Sequence, residues 1–372
     1  VNLRILSEGL RIGWHGLKTK ALGPKRYDGT PTEICEAIVE RCWDAKRGIF
    51  LTSPNNYPVF YARDFGMCID ALLALGHRER VRQTLAWALA QYERNGRITL
   101  ILNRHGKGFN FPDVEAPDGY AFLLHSLAAL NDKKLVKNHK TMLERELRRF
   151  ADAVVDKGTG LVRRGRRFSG MRDYAIRDSS CYDNAMLGAI RKYSKMLGMD
   201  TPLRNYAYEE LIPRNFWTGS YFKDDLTSEA LSGDANVLPF WLRILTPKQE
   251  RTLWRQALAT MRKEKLDEPV PLRYEARRDG AKMHWLDWWS GGWERDTMWL
   301  HLGNMFMQVV ARYDTKLARA YLEHFEELIT RERNYPEVLT KEGRPHTGPF
   351  FHADDSMLWA CNFLALSEQL KN

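Results

Sequence analysis

Six stretches of the chain are apolar almost without interruption at helical spacing: FGMCIDALLAL, AFLLHSLAAL, NAMLGAIRKYSKML, VLPFWLRIL, MWLHLGNMFMQVVARY and DSMLWACNFLAL. Apolar residues three and four apart mark helices, and a helix that is apolar all round must bury both faces. The stretches begin near residues 62, 117, 179, 235, 293 and 353, at intervals of roughly 55 to 62 residues. Amphipathic helices are expected between them, over 31–45, 78–94, 133–155, 201–212, 247–264 and 315–333. A fixed period of buried and amphipathic helix signals a repeat. An open solenoid would need a polar capping face on its last repeat, and DSMLWACNFLAL offers none. Six inner helices ringed by six outer ones in a closed circuit remove that need. The expected fold is all-α, an (α/α)6 toroid or six-hairpin barrel over 31–372, with residues 1–30 as an N-terminal arm or helix packed on it. Longer loops are expected at 95–115, 156–177, 213–226 and 265–291, with one short hairpin at GRITLILN.

With 372 residues the chain can bury a sizeable core. No run of about 18 apolar residues occurs, so no membrane span is expected. The opening VNLRILSEGLRIGWHGLKTKAL lacks the continuous apolar region and cleavage site of a signal peptide. Its Leu3, Ile5, Leu6, Leu10, Ile12 and Leu17 suit one face of a helix or arm. Five cysteines, Cys35, Cys42, Cys68, Cys181 and Cys361, form no CxxC; an odd set of this kind suits reduced thiols and a cytoplasmic setting. Net charge is +10, but the basic residues are scattered over helix faces and the densest run, VRRGRRF at 162–168, is short. No nucleic-acid partner is expected, while an anionic partner or substrate stays open. A GxSxG elbow, a P-loop and an HExxH are all missing, and His301, His324, His346 and His352 form no ligand cluster, so neither metal nor cofactor is expected.

Each buried helix is approached through a segment rich in acids, aromatics and glycine: YARDFG, FPDVEAPDGY, SGMRDYAIRDSSCYDN, SGDAN, WLDWWSGGWERD and GPFFHADDS. Helix capping accounts for part of this, since Asp and Ser favour helix N-termini. Asp64, Asp234, Asp354 and Asp355 need no further role on that ground. Capping does not explain Tyr61, Trp285, Trp288, Trp289, Trp293, Phe350 and Phe351. Segments converging at one end of a barrel would form a bowl lined by aromatic rings and carboxylates, which suits a polyhydroxylated ligand.

The organisation resembles that of the six-hairpin glycosidases: glucoamylase, trehalase, processing glucosidase I and the glucosidase domain of glycogen-debranching enzymes. YARD at 61–64 resembles the Arg-Asp with which those enzymes hold a terminal sugar, here Arg63 and Asp64. EAPDGYAFLLHSL, with Asp118, resembles their approach to the second inner helix. FSGMRDYA at 168–175 resembles the loop that carries their general acid, and NYPEVLTKEGRP resembles the late loop whose Glu is their general base, here Glu337. Arg172 is inserted before Asp173 relative to that pattern, so Asp173 and Asp178 compete as the acid, with Glu294 a further candidate. Tyr61, Arg177, Trp289, Trp293, Glu294 and His352 complete the sugar-binding residues expected on this resemblance.

The resemblance implies an inverting glycoside hydrolase that removes a terminal sugar from an oligosaccharide or small glycoside, with Glu337 and Asp173 as base and acid. Inversion needs a water between base and anomeric carbon, hence carboxyls roughly 6.5–9.5 Å apart. Two further readings remain. One is a polysaccharide lyase, unsaturated uronyl hydrolase or sugar epimerase acting on an anionic sugar through Arg63, Arg172, Arg177, Arg295 and His352. The other is a carbohydrate-binding toroid without catalysis.

Overall fold

The computed structural model describes residues 3–278 and 280–371, with the side chains of residues 3–5 outside the description. The helices, in chain order, are α1 (Leu3–Leu22), α2 (Pro31–Arg41), α3 (Ala62–Ala74), α4 (Arg78–Asn95), α5 (Pro117–Leu130), α6 (Lys133–Val154), α7 (Cys181–Met196), α8 (Tyr208–Phe216), α9 (Gly233–Trp241), α10 (Pro247–Lys263), α11 (Asp287–Ser290), α12 (Leu300–Ala311), α13 (Thr315–Glu332) and α14 (Ala360–Lys371). No helix among the described residues is long and apolar enough to cross a membrane.

The apolar segments become α3, α5, α7, α9, α12 and α14. Buried residues occur all round them, and α9 is buried from Gly233 to Trp241. Each packs on the next, α3 on α5, α5 on α7, α7 on α9, α9 on α12 and α12 on α14, and α14 packs back on α3. The amphipathic helices lie against this circuit: α2 on α14, α4 on α3 and α5, α6 on α5, α8 on α7, α10 on α9, and α13 on α12 and α14. Their local signals are clear. Thr30 and Glu33 form a capping box before Pro31, and Thr246 and Gln249 repeat the device before Pro247.

Close approach of α3 to α5 depends on Gly66. A Cβ there would stand 2.8 Å from the Phe122 carbonyl oxygen and press on its ring. Gly66→Ala is therefore expected to lower unfolding stability by about 1–3 kcal/mol, the cost of overpacking a dense core. A shift in the denaturant midpoint at unchanged slope checks this.

Several boundaries depart from expectation. The fifth and sixth inner helices start at Leu300 and Ala360, later than 293 and 353. Before α12 the chain turns at Gly291 and Gly292, both at positive φ, and Met298–Trp299 pairs with Val338–Leu339. Before α14, Asp354 engages a neighbouring loop in place of a helix turn. Helix α2 stops at Arg41 because Trp43–Asp44 pairs with Ile49–Phe50. The helix expected over 201–212 is a 3-10 turn (Pro202–Asn205) followed by α8. Of the hairpin expected at GRITLILN, Ile101–Leu102 forms one strand, which pairs with Gly108–Phe109 beyond that stretch and also with Phe60–Tyr61. The apolar face expected on α1 is largely turned outward. Leu6, Leu10 and Leu17 are exposed beside Trp14, while Gly16 and Thr19 are buried; the Leu3 and Ile5 side chains, expected on the same face, lie outside the description.

Candidate active site

The segments leading into α3, α5, α7, α12 and α14 converge on one cavity of about 1170 Å³ including its mouth, while the SGDAN segment before α9 is outside its lining. Asp173 and Glu337 both line it, together with Tyr61, Arg63, Asp64, Trp289, Trp293 and Glu294. Asp173 precedes α7 and Glu337 lies in the loop before α14. Those helices are three steps apart on the circuit of contacts, so the two carboxylates come to the cavity from separate loops.

Arg63 ties the first three helix starts together. Its Nη1 stands 3.2 Å from Asp118 Oδ2, donates to the Gly170 carbonyl at 2.5 Å and lies 3.8 Å from Asp173 Oδ1. Its Nε is 3.6 Å from Asp64 Oδ2. Asp64 also accepts a hydrogen bond from Trp359 Nε1 at 3.1 Å, so it is a wall of the cavity as well as a first-turn acid. Burial raises its carboxyl despite Arg63. Asp118 stands behind Arg63, where it also accepts from the Tyr182 hydroxyl at 3.0 Å.

The loop carrying Asp173 is held rigidly. The Glu294 carboxylate accepts from the N–H of Asp173 at 2.8 Å and of Tyr174 at 2.7 Å. Arg167 donates to the Asp173 carbonyl oxygen, which gives the basic run at 162–168 an internal role. The inserted Arg172 is buried, pairing with Glu275 at 2.5 Å and donating to the Glu294 carbonyl at 3.0 Å. Its neighbour Asp173 thus faces the cavity. Burial pushes the Asp173 carboxyl well above the usual range, against the pull of Arg63, and the nearby Glu294 charge adds to the rise.

Burial likewise lifts Glu294 to about 7, against the two backbone N–H bonds. An acid whose folded pKa exceeds its unfolded value favours the folded state most when protonated. Its contribution is full below about pH 4.5 and is lost as pH rises through about 7. Glu294→Gln is therefore expected to flatten the fall in melting temperature over that interval, as calorimetry at both ends would show.

Glu337 is pinned from three sides. Its N–H donates to the Asp354 carbonyl at 2.8 Å, the Asp354 N–H returns to Glu337 Oε2 at 3.0 Å, and the Leu300 N–H reaches its carbonyl at 3.3 Å. The preceding Tyr335 is buried with its hydroxyl on Asn304 Oδ1 at 3.1 Å. Asp354, read as a capping residue, instead accepts from the Asn56 N–H at 2.7 Å and from Ser53. Burial pushes the Glu337 carboxyl well above the ordinary range; the Asp354 charge reinforces this, and the Asp354 N–H and Tyr57 hydroxyl oppose it.

Not every expected residue reaches the cavity. Asp178 turns away, accepting from Arg164 Nε and the Gly165 N–H, each at 2.8 Å. Those bonds outweigh the effect of its burial and keep its carboxyl low. Arg177 is engaged by Asp224 at 3.1 Å and Asp234 at 2.8 Å. Asp118 and His352 are also outside the lining. Conversely, Tyr57, Tyr174, His301, Trp359 and part of α1 line it without having been singled out. Among the described residues, Asp173 Oδ1, Trp293 Nε1 and His301 Nδ1 are buried polar atoms of lining side chains that take no hydrogen bond. Buried polar atoms are normally satisfied, so these stand out in the cavity wall; Asp173 Oδ1 has only the Arg63 guanidinium near it, at 3.8 Å. No group of three His, Cys, Asp or Glu residues able to hold a metal ion is found among the described residues.

No family model and no curated protein sequence matches the chain. Solved structures do. The fold is one that glycosidases use. A structure described as wild-type glycosidase aligns over 92% of this chain and 96% of its own, with TM-score 0.67 and 15% identity. A rhamnosidase from Klebsiella oxytoca with rhamnose bound aligns over 94% of this chain and 66% of its own, with TM-score 0.64 and 10% identity. A GH78 family rhamnosidase of Bacillus sp. GL1 covers 91% of this chain and 34% of its own, with TM-score 0.59 and 12% identity. At these identities the likeness is one of fold.

Proposed function

We propose that the protein is an inverting glycoside hydrolase acting on a terminal sugar, with Glu337 as general base and Asp173 as general acid. Residues 31–372 would form one catalytic (α/α)6 toroid with α1 laid on it; the returning contact of α14 with α3 supports that closure. The observation that carries the reading is a pair of carboxyls, half-buried Asp173 and buried Glu337, that line one cavity from separate loops. Glycoside hydrolysis needs an acid for the leaving oxygen and a carboxylate across the sugar. Glucose and rhamnose sites on the same fold add support, since one glycosidase variant was solved with glucose and the Klebsiella enzyme with rhamnose.

Asp64 and Arg63 would orient the terminal sugar through its hydroxyls. Asp64→Asn is expected to cost about 1.5–3 kcal/mol of transition-state stabilisation, the range for a hydrogen bond to a charged group. An unchanged kcat/KM in a stably folded variant would reduce Asp64 to its bond with Trp359.

The anionic-sugar reading is disfavoured by the charges. Arg172 and Arg177 are buried in ion pairs, Arg295 pairs with Asp287 at 2.6 Å, and Arg63 already faces Asp64, Asp118 and Asp173. A tyrosine base is disfavoured as well, because burial and nearby carboxylates raise Tyr57, Tyr61 and Tyr174. A panel of 4-nitrophenyl glycosides of common hexoses and L-rhamnose tests the proposal. Release of nitrophenol and free sugar is expected. Turnover only of uronate polymers, with ultraviolet-absorbing unsaturated products, would replace hydrolysis by elimination.

A further inference from the structure

Helix α1 supplies five residues of the cavity wall, Glu8, Gly9, Arg11, Ile12 and Gly13. Its first half is fastened through Arg11, whose guanidinium donates to the carbonyls of Asn55 (2.9 Å) and Asn56 and pairs with Glu8. Its second half is fastened through Lys20, whose ammonium donates to the carbonyls of Gly348 and Pro349 (3.0 Å). Between these points Gly16 rests directly on the next loop. A Cβ there would lie 3.1 Å from the Phe350 oxygen, 3.2 Å from the His352 nitrogen and 3.3 Å from the Phe351 Cα. The outer side of the helix, with Leu10, Trp14 and Leu17, is exposed, so one helix alone separates this part of the cavity from solvent.

The two loops that hold α1 also hold the region of Glu337. Asn56 donates to the His352 carbonyl at 3.1 Å and to Asp354, and Asp354 exchanges backbone hydrogen bonds with Glu337. Arg63, Asp64 and α1 line the same cavity, so a leaving group beyond a terminal sugar held by Asp64 and Arg63 would share its space with α1.

We propose that α1 is a strap that sets the length of leaving group the site accepts, restricting substrates to glycosides whose leaving group is about one ring or smaller. This rests on the glycoside hydrolase reading above. Gly16→Val would lift the strap by pressing on backbone, and Lys20→Ala would unfasten its second half while removing no buried packing. Neither side chain lines the cavity.

The sugar cleaved best from the 4-nitrophenyl panel would then be offered as a disaccharide and as a five-ring chain. For the wild-type protein kcat/KM is expected to fall at least about tenfold from the short to the long substrate. In both variants, checked for folding by circular dichroism and melting temperature, the difference should shrink to within about threefold, with nitrophenyl glycoside hydrolysis nearly unchanged. Equal cleavage of both lengths by the wild type, or undiminished discrimination in both variants, would overturn the strap and leave the hydrolase reading standing. Failure of the wild type on every nitrophenyl glycoside would instead remove the hydrolase reading, and the strap with it.

Discussion

Glu337→Gln is expected to lower turnover of its best aryl glycoside by about 10²–10⁴-fold, the usual contribution of a general base. The substitution keeps the shape of the side chain and an oxygen to accept the Asp354 N–H, but it removes the carboxylate that would take a proton from water. Ground-state binding should survive, because the terminal sugar would be held by Arg63 and Asp64. Titration of tryptophan fluorescence with glucose or rhamnose would read this, since Trp293, Trp299 and Trp359 line the cavity. A loss confined to KM would contradict the role, for it would mean that Glu337 binds the sugar equally in ground and transition states. The electrostatics add a pH dependence. Burial raises both Glu337 and Asp173, so the base ionises only as pH climbs beyond the ordinary carboxyl range. The acid limb of the pH–rate profile should accordingly lie above about pH 4.5, the ordinary carboxyl range.

Asp173→Asn is expected to cost about 10²–10⁴-fold on alkyl glycosides and far less on 4-nitrophenyl ones, whose leaving groups need little protonation. The structural grounds are the raised carboxyl, which retains a proton to donate, and the place of Asp173 in the cavity lining. The loop should keep its shape in the variant, because Glu294 and Arg167 grip its backbone and leave the side chain untouched. A plot of log kcat/KM against leaving-group pKa should steepen. If that steepening follows Asp178→Asn and Asp173→Asn leaves the slope unchanged, the acid is misassigned. The position of Asp178 on Arg164, outside the cavity lining, argues for the first outcome.

The circuit of helices was legible because burial on both faces leaves an apolar run at period 3.6, and six such runs recur at one spacing. The outer helices were placed by their amphipathic period, and the capping boxes of Thr30–Glu33 and Thr246–Gln249 start two of them. The start of α14 lies later than the spacing suggests because Asp354, which resembles a cap, holds Asn56 instead, and before α12 Glu294 holds the backbone of Asp173 and Tyr174. Such contacts leave no trace in spacing. Arg177 and Arg172 carried charges that suggested a substrate, yet their partners Asp234 and Glu275 are far along the chain and appear only when it folds. The part of α1 was hidden for a different reason. Its position is set by donors to backbone carbonyls of Asn55, Asn56, Gly348 and Pro349, and a carbonyl has no sequence signature.

The central claim is that water attacks the anomeric carbon directly, activated by Glu337 across the sugar from Asp173. Proton NMR of the first-formed sugar, recorded before mutarotation equilibrates the anomers, tests it most directly. A product of inverted configuration is expected, released by the wild-type protein and nearly lost in Glu337→Gln. A first-formed sugar of retained configuration would contradict it, since retention requires a carboxylate at about 5 Å acting as nucleophile through a covalent intermediate.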